Sequence, residues 1–359
     1  VMKESLSEIC VASDTPIRQA IACMNRGQKG IVLVTDENNR LIGTIVDGDI
    51  RRAILGGQDL FGPISSILHM KALAGQEGAV TAPFGSDTKQ LANLMAGQHV
   101  RQLPLVDDEG RLMDLVTASD LLAQEEQPLQ AMIMAGGFGK RLYPLTLDCP
   151  KPMLPVGGQP LLSMIIARLK EAGISKVNLS MHYLHDQIKE YFGDGSEHGV
   201  ELRYLTEEKP LGTAGALGLL DAQDQPLLII NGDILTQVDF RSMLEFHKEN
   251  KSLLTVGVRK YEMKVPFGVV DTKGVNVQGL IEKPTYEVFV NAGIYLLEPK
   301  ACGLVQEDER LDMTDLIQRL LVNGEKVVSF PIIEYWLDVG NPEDYQRAQE
   351  DVQNGRWPE

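Results

Sequence analysis

The sequence predicts an α/β protein in two parts, an internally duplicated N-terminal module and a larger domain built on a mostly parallel sheet. Three observations carry this expectation. At 359 residues the chain is long for a single core, so two domains are the first expectation. A segment that begins at Ser13 recurs, in altered form, from Ser86. From Leu129 onward, short apolar runs alternate with helical patterns, which is the signature of a sheet covered by helices.

The duplication comes first in the chain. "SDTPIRQAIACMNRGQKGIVLVTDENNRLIGTIVDGDIRRAI" aligns with "SDTKQLANLMAGQHVRQLPLVDDEGRLMDLVTASDLL" at a period of about 71 to 73 residues. Each copy reads as a Ser-Asp-Thr helix start, a helix, a β-branched strand, an acidic turn, a second strand, and a helix that opens after an Asp. The expected boundaries are 1–60 and 61–123 for the two copies. A linker follows at 124–130, where the polar "AQEEQPLQ" contains Pro128, which cannot continue a helix. Residues 131–359 form the second domain.

Composition narrows the partners. A formal net charge of -16 excludes a nucleic-acid polyanion as the main partner, because such binders need a basic face. No apolar run approaches the roughly 18 residues of a membrane span, and "VMKESLSEIC" lacks the regions of a signal peptide, so a cytoplasmic protein without membrane contact is expected. Cys10, Cys23, Cys149 and Cys302 lie far apart, without metal-ligand spacing, and read as reduced thiols. His182, His185, His198 and His247 follow no ligand pattern and read as surface or packing residues.

In the second domain "LQAMIM", "KVNLSM", "PLLIING" and "SLLTVGV" read as strands, with "PLLSMIIARLKEAG", "LHDQIKEYFG" and "FRSMLEFHKEN" as helices between them. Ligands of such sheets bind beyond the carboxyl ends of the strands. "AGGFGKR" follows the first strand there. Gly136, Gly137 and Gly139 permit positive φ and a close approach of backbone N–H groups to phosphate oxygens, with Arg141 and Lys151 adding full charges. A glycine turn alone is also an ordinary strand-to-helix connection, and the spacing fits neither GxxxxGK[ST] nor a dinucleotide fingerprint.

The longer string decides between these. "AGGFGKRLYPLTLDCPKPMLPVGGQPLL" resembles the signature of the sugar-1-phosphate nucleotidyltransferases. "EEKPLGTAGAL", "NGDIL", "IEKP", "NAGIY" and "WLDVGNPEDY" follow in family order, covering nearly all of 129–345. The duplicated part resembles a tandem CBS-domain (Bateman) module, on "LVTDENNRLIGTIVDGDI" and "LVDDEGRLMDLVTASDL". The full arrangement is most similar to the guanylyltransferases that activate glucosamine 1-phosphate for legionaminic acid synthesis, with mannose or heptose 1-phosphate as the alternative acceptor.

The resemblance implies a Rossmann-like transferase domain in which a sugar-1-phosphate oxygen attacks the α-phosphorus of an NTP and pyrophosphate leaves. It implies that Arg141, Lys151 and Asp233 are catalytic, and that Ala135, Gly136, Gly137, Gly139, Lys140, Glu207, Gly212 and Thr213 join Arg141 and Lys151 in the nucleotide site. Lys140 stands where the family usually has Thr or Ser; it either contacts the triphosphate or points to solvent. Asp233 and Asp338, each ending a short apolar strand, would converge on Mg²⁺. The competing reading of Asp338, an N-cap, is weakened because Asn341 before Pro342 fills that role.

Gly268, Glu282, Lys283 and Asn291 would hold the sugar phosphate, although an isolated Glu-Lys-Pro is ordinarily a surface turn. Glu207 is a carboxylate where relatives that use uridine or thymidine nucleotides carry an amide. Guanine offers two adjacent donors to such an acceptor, so GTP is expected, with either Glu207 or its neighbour Glu208 as the solvent-facing residue. In the duplicated module Thr117 and Asp120 match the residues that hold an adenine nucleotide, whereas the first copy keeps Asp49 but has Val46 in place of the hydroxyl. A homodimer or higher homo-oligomer is expected. A catalytically inactive nucleotide-sensing protein is the alternative, one that would be expected to lose a metal carboxylate or a phosphate cation.

Overall fold

The computed structural model describes residues 4–27, 29–75, 78–121, 129–182, 184–221 and 223–357. It comprises two compact units, Val1–Glu125 and Glu126–Glu359. Most of the expected linker, residues 124–128, lies outside the described residues.

In the first unit the duplication is visible in the backbone. Strands Cys10–Val11 (β1), Ile31–Thr35 (β2) and Leu41–Val46 (β3) form one sheet, and Ala82–Pro83 (β4), Gln102–Val106 (β5) and Leu112–Thr117 (β6) form another with the same order and sense. The two copies meet at their acidic turns, where Leu41 N donates to Gly110 O at 3.1 Å and Leu112 N donates to Asn39 O at 2.9 Å. Arg40 and Arg111 face each other across this join. Both turns need a residue at positive φ, supplied by Asn39 in one and Gly110 in the other. The apolar core follows the same logic: Leu6, Ile9, Ile31 and Leu33 of the first copy pack with Leu112 and Leu115 of the second, so neither copy buries its face alone.

The second unit is built on a seven-stranded sheet. Its strands are Gln130–Met134 (β7), Lys176–Met181 (β10), Glu201–Thr206 (β11), Leu227–Asn231 (β12), Leu254–Lys264 (β14), Thr285–Leu297 (β17) and Val327–Pro331 (β18), in the order β11-β10-β7-β12-β17-β14-β18. Only β17 runs against the others. Leu227, Leu228 and Ile229 are fully buried, which explains why the central strand reads as an unbroken apolar run rather than an alternating one. Helices Leu161–Glu171, Phe240–Asn250 and Met313–Val322 cover the sheet, with Asp239 capping the second through bonds from Arg241 N and Ser242 N.

Three smaller pairings complete the unit. Pro155–Val156 (β8) and Gln159–Pro160 (β9) form a hairpin, Ile234–Thr236 (β13) pairs antiparallel with Trp336–Asp338 (β19), and Val269–Lys273 (β15) pairs with Asn276–Ile281 (β16). The β15–β16 hairpin is joined to the outer, solvent-exposed halves of β14 and β17. Among the described residues no helix is long and apolar enough to cross a membrane.

Candidate active site

The order β11-β10-β7-β12 reverses its direction of growth at β7, the switch point beyond whose strand ends open α/β sheets bind their ligands. The glycine loop starts there. Ala135 N donates to Ser180 O at 2.8 Å, and Gly232 N donates to Met134 O at 2.9 Å, which fixes the loop's origin between the two neighbouring strands. Of the three loop glycines only Gly139 takes a positive φ, 62°. A Cβ on Gly139 would lie 2.9 Å from Thr146 Cγ2 and 3.2 Å from Lys151 Cβ. Thr146, fully buried, donates to Gly139 O at 2.8 Å. The loop is thereby fastened to the segment that carries Lys151. Gly136 is needed for a different reason: its Cβ would sit 3.1 Å from Glu207 Oε1, while Gly137 faces open space.

Charge is concentrated beside this loop. Lys151 Nζ and Asp233 Oδ2 form an ion pair whose side chains are mostly buried. The β13–β19 register places Asp338 opposite Ile234, and Val339 N donates to Asp233 O at 2.9 Å, so the two aspartates are brought together by backbone pairing. Asn341 caps the helix Pro342–Gln353 by accepting from Asp344 N at 3.0 Å, and Asp338 takes no part in that cap. Asp233 Oδ1, Asp338 Oδ1 and Asn231 Oδ1 are buried and have no hydrogen-bond partner among the described residues. Burial, and after it the Asp233 charge, pushes the Asp338 carboxyl above its ordinary pKa, against the pull of Lys151 and Arg141. The Arg141 guanidinium is exposed and lies along Gly340, its Nη atoms 3.5 Å from where a Cβ would stand. Buried oxygens without donors are rare in folded proteins, and oxygen-only ligands of this kind suit a hard divalent cation such as Mg²⁺. Asn231 was read from the sequence only as part of "NGDIL", an order marker; the amide oxygen gave no separate signal.

The third wall is the residue expected to read the base. Glu207 is buried, and Glu208 is the solvent-facing one of the pair. Glu207 Oε1 accepts from Ser180 Oγ and Oε2 accepts from Leu211 N at 2.9 Å. Each carboxylate oxygen, having accepted one bond, keeps one lone pair. His182, expected to be surface or packing, lies in the site: its Nδ1 donates to Glu207 O at 2.8 Å and its ring meets Phe138 edge-on, centroids 5.5 Å apart. Lys140 is exposed, with its ammonium 5.5 Å from the Phe138 ring.

Comparison with known proteins bears on this constellation. The nucleotidyl transferase family model matches residues 130–355, and the CBS domain model matches 2–56 and 76–125. The chain belongs to the nucleotidyl transferase family. It is 34% identical over 239 residues to a mannose-1-phosphate guanylyltransferase of Mycobacterium tuberculosis, an alignment that takes in 64% of this chain and 66% of that protein. It is 34% identical over 231 residues to a D-glycero-alpha-D-manno-heptose 1-phosphate guanylyltransferase of Aneurinibacillus thermoaerophilus, covering 63% of this chain and 99% of the relative. A solved structure from Bacillus anthracis assigned to the glucose-1-phosphate thymidylyltransferases superposes with a TM-score of 0.52 at 26% identity, over 64% of this chain and 98% of that one.

Elsewhere in the nucleotidyl transferase domain, several expected ligand residues are engaged by the fold itself. A Cβ on Gly212, at φ 82°, would stand 2.6 Å from Leu311 O and from Asp312 Oδ1. Thr213 N donates to Asp312 Oδ1 at 3.1 Å and its Oγ1 accepts from Met313 N at 2.9 Å, so Thr213 ties its loop to the helix Met313–Val322. Asn291 is exposed, yet its amide is engaged within β17: it donates to Tyr295 Oη at 2.9 Å and accepts from Gly293 N at 3.0 Å, beside the β14–β17 irregularity between Val256 and Val258. Glu282 and Lys283 are exposed, Lys283 at φ 45°, and a Cβ on Gly268 would stand 3.0 Å from Glu282 Oε2. His198 packs against Tyr191 and Phe192, and His247 is buried between Thr255 Oγ1 and Glu298 Oε1.

The two CBS copies differ at the residues expected to hold a ligand. Asp120 accepts from Thr117 N at 2.7 Å and from Thr117 Oγ1 at 2.8 Å. Burial raises the Asp120 carboxyl, but these bonds and the Lys29 charge of the other copy outweigh it and leave the group below its ordinary pKa. Asp49, in the copy that lacks the hydroxyl, is engaged differently. It is buried and accepts from Lys71 Nζ at 2.7 Å, from Arg52 Nη2 at 2.7 Å and from Val46 N at 3.0 Å. Lys71 Nζ also donates to Thr44 O at 2.9 Å, so the first cleft has a cation of its own.

The orphaned oxygens predict a stability signature. An Asp with a raised folded pKa costs no stability below the ordinary carboxylate range, where it is protonated folded and unfolded; the cost grows as pH rises toward the folded pKa. Asp338→Asn should therefore raise the melting temperature of the metal-free transferase domain at neutral pH, with the gain vanishing in acid. The wild type, but not the variant, should gain further on adding Mg²⁺. Differential scanning fluorimetry across pH, with and without Mg²⁺, measures both effects.

Proposed function

We propose that the chain transfers GMP from GTP to a sugar 1-phosphate with release of pyrophosphate. The carrying observation is the Lys151–Asp233 pair and the unpartnered oxygens of Asp233, Asp338 and Asn231, at the strand ends from which the glycine loop leaves β7. An oxygen of the sugar phosphate forms a bond to the α-phosphorus and the α–β bridging bond breaks, its electrons leaving with pyrophosphate. Both reactants are anions, so the protein's task is alignment and neutralisation of charge. Arg141 and Lys151 would hold the triphosphate and stabilise the charge that develops on the leaving group. The loop would present backbone N–H groups, and Asp233 with Asp338 would hold Mg²⁺. The ion would supply charge neutralisation across the phosphates. Glu282 and Lys283 would serve the sugar phosphate.

The relatives' names support guanine as the base. Glucosamine 1-phosphate is the acceptor suggested by the resemblance of the whole chain, and mannose and heptose 1-phosphates are the alternatives those names support. The inactive-sensor reading is disfavoured because Arg141, Lys151, Asp233, Lys283 and Asp338 are all present. The CBS copies would bind an adenine nucleotide at Thr117 and Asp120 only, with Lys71 holding Asp49 in the first cleft.

Pyrophosphate release with Mg²⁺, each NTP in turn and a panel of sugar 1-phosphates tests this reading. GTP should be used fastest, and a protein that turns over UTP or dTTP but not GTP would refute it. Asp233→Ala or Asp338→Ala should lower turnover by at least about 10²-fold while the fold persists, the scale of losing one main electrostatic stabiliser. For the CBS copies, calorimetry with AMP and ATP should give one site per chain, lost in Asp120→Ala and retained in Asp49→Ala. Two equal sites, or equal loss in the two variants, would remove the asymmetric assignment.

A further inference from the structure

We infer that Ser180 is a positioning residue for nucleobase selection, acting through Glu207; this rests on the guanylyl-transfer reading above. Ser180 is the penultimate residue of β10 and is fully buried. Its hydroxyl has one proton, and that proton is directed to Glu207 Oε1. The neighbouring residues hold the rest of Glu207. Glu207 N donates to Met181 O at 2.9 Å, Glu207 O accepts from His182 Nδ1 at 2.8 Å, and Oε2 accepts from Leu211 N at 2.9 Å. Three consecutive residues at the end of one strand thus fix the acid at its backbone N–H, its carbonyl and one carboxylate oxygen.

The consequence lies in geometry. A glutamate side chain has several rotatable bonds, and holding it in one pose before the ligand arrives removes an ordering cost from binding. The pose held here puts Oε1 against Gly136, where no side chain intervenes between the carboxylate and the loop proposed to take the phosphates. Each oxygen keeps one lone pair, and the two remain at the fixed separation of a carboxylate. Guanine offers two adjacent N–H donors to such an acceptor. Uracil offers one N–H flanked by carbonyl oxygens, which the second carboxylate oxygen repels. Without the Ser180 bond, Oε1 loses its only side-chain donor among the described residues, the carboxylate turns about its anchored Oε2, and the distinction between the two bases is lost.

A merely structural hydroxyl predicts something else, a loss shared by all nucleotides. Ser180→Ala in the full chain, with Ser180→Thr as the variant that keeps the hydroxyl, separates the two; melting curves confirm that each is folded, and if the Thr variant is not, the GTP-to-UTP ratio of Ser180→Ala decides alone. Calorimetric Kd values for GTP and for UTP in the presence of Mg²⁺ are the readout. Ser180→Ala should weaken GTP by about tenfold, the lower end of what a hydrogen bond to a charged group contributes, and leave UTP unchanged, so that their ratio falls by the same factor. The hydroxyl-keeping variant should restore the ratio. An unchanged ratio, whether both Kd values hold or both rise together, overturns the inference. If the wild type prefers another base, the guanylyl reading fails while the same comparison on that base still tests Ser180; if it binds no nucleotide or shows no preference, both fail.

Discussion

Two carboxylates held side by side at the end of a sheet repel each other, and the fold around them is arranged to hold them there. The β13–β19 pairing keeps Asp233 and Asp338 together through backbone bonds, which do not weaken when both acids ionise. Lys151 neutralises part of the charge from a segment whose position depends on Gly139 and Thr146. Burial first, and the Asp233 charge after it, hold the Asp338 carboxyl above its ordinary pKa in spite of Lys151. Sites that bind a cation commonly retain such a cost in the free protein, because ligands that satisfied one another would have less to offer the ion.

The glycine loop links this charged centre to Glu207. At one end Gly139 admits the Thr146 and Lys151 side chains; at the other Gly136 admits the Glu207 carboxylate. A side chain at either position would push its neighbour away from the loop. The loop's glycines therefore serve two kinds of fit: a positive φ at Gly139, and a close approach to a neighbouring side chain at both Gly139 and Gly136.

Much of this was legible in the sequence because it rests on local pattern. The apolar run "PLLII", bounded by "NGD", identifies a central buried strand without any structure, and a repeat shows itself by self-comparison. The charges Arg141, Lys151, Asp233 and Asp338 stand out because the motifs order them. What was not legible depends on contacts between residues far apart in the chain. Nothing in "EEKPLGTAGAL" shows that Ser180, on the neighbouring strand, donates to Glu207, or that Asp312 and Met313 engage Thr213. Nothing in "VDGDI" shows that Lys71 reaches back to Asp49 from the following helix. His182 was passed over because a single histidine has no pattern to be matched, only a position.

The two CBS copies share a backbone plan and a core that crosses between them, yet Asp49 of one is bonded to Lys71 while Asp120 of the other is bonded to Thr117. On the reading given above, duplication followed by such divergence converts one binding site into a brace. A chain with one competent cleft saturates along a simple hyperbola in its ligand. Any steeper dose response must then arise from contact between separate chains, because cooperativity needs at least two coupled sites.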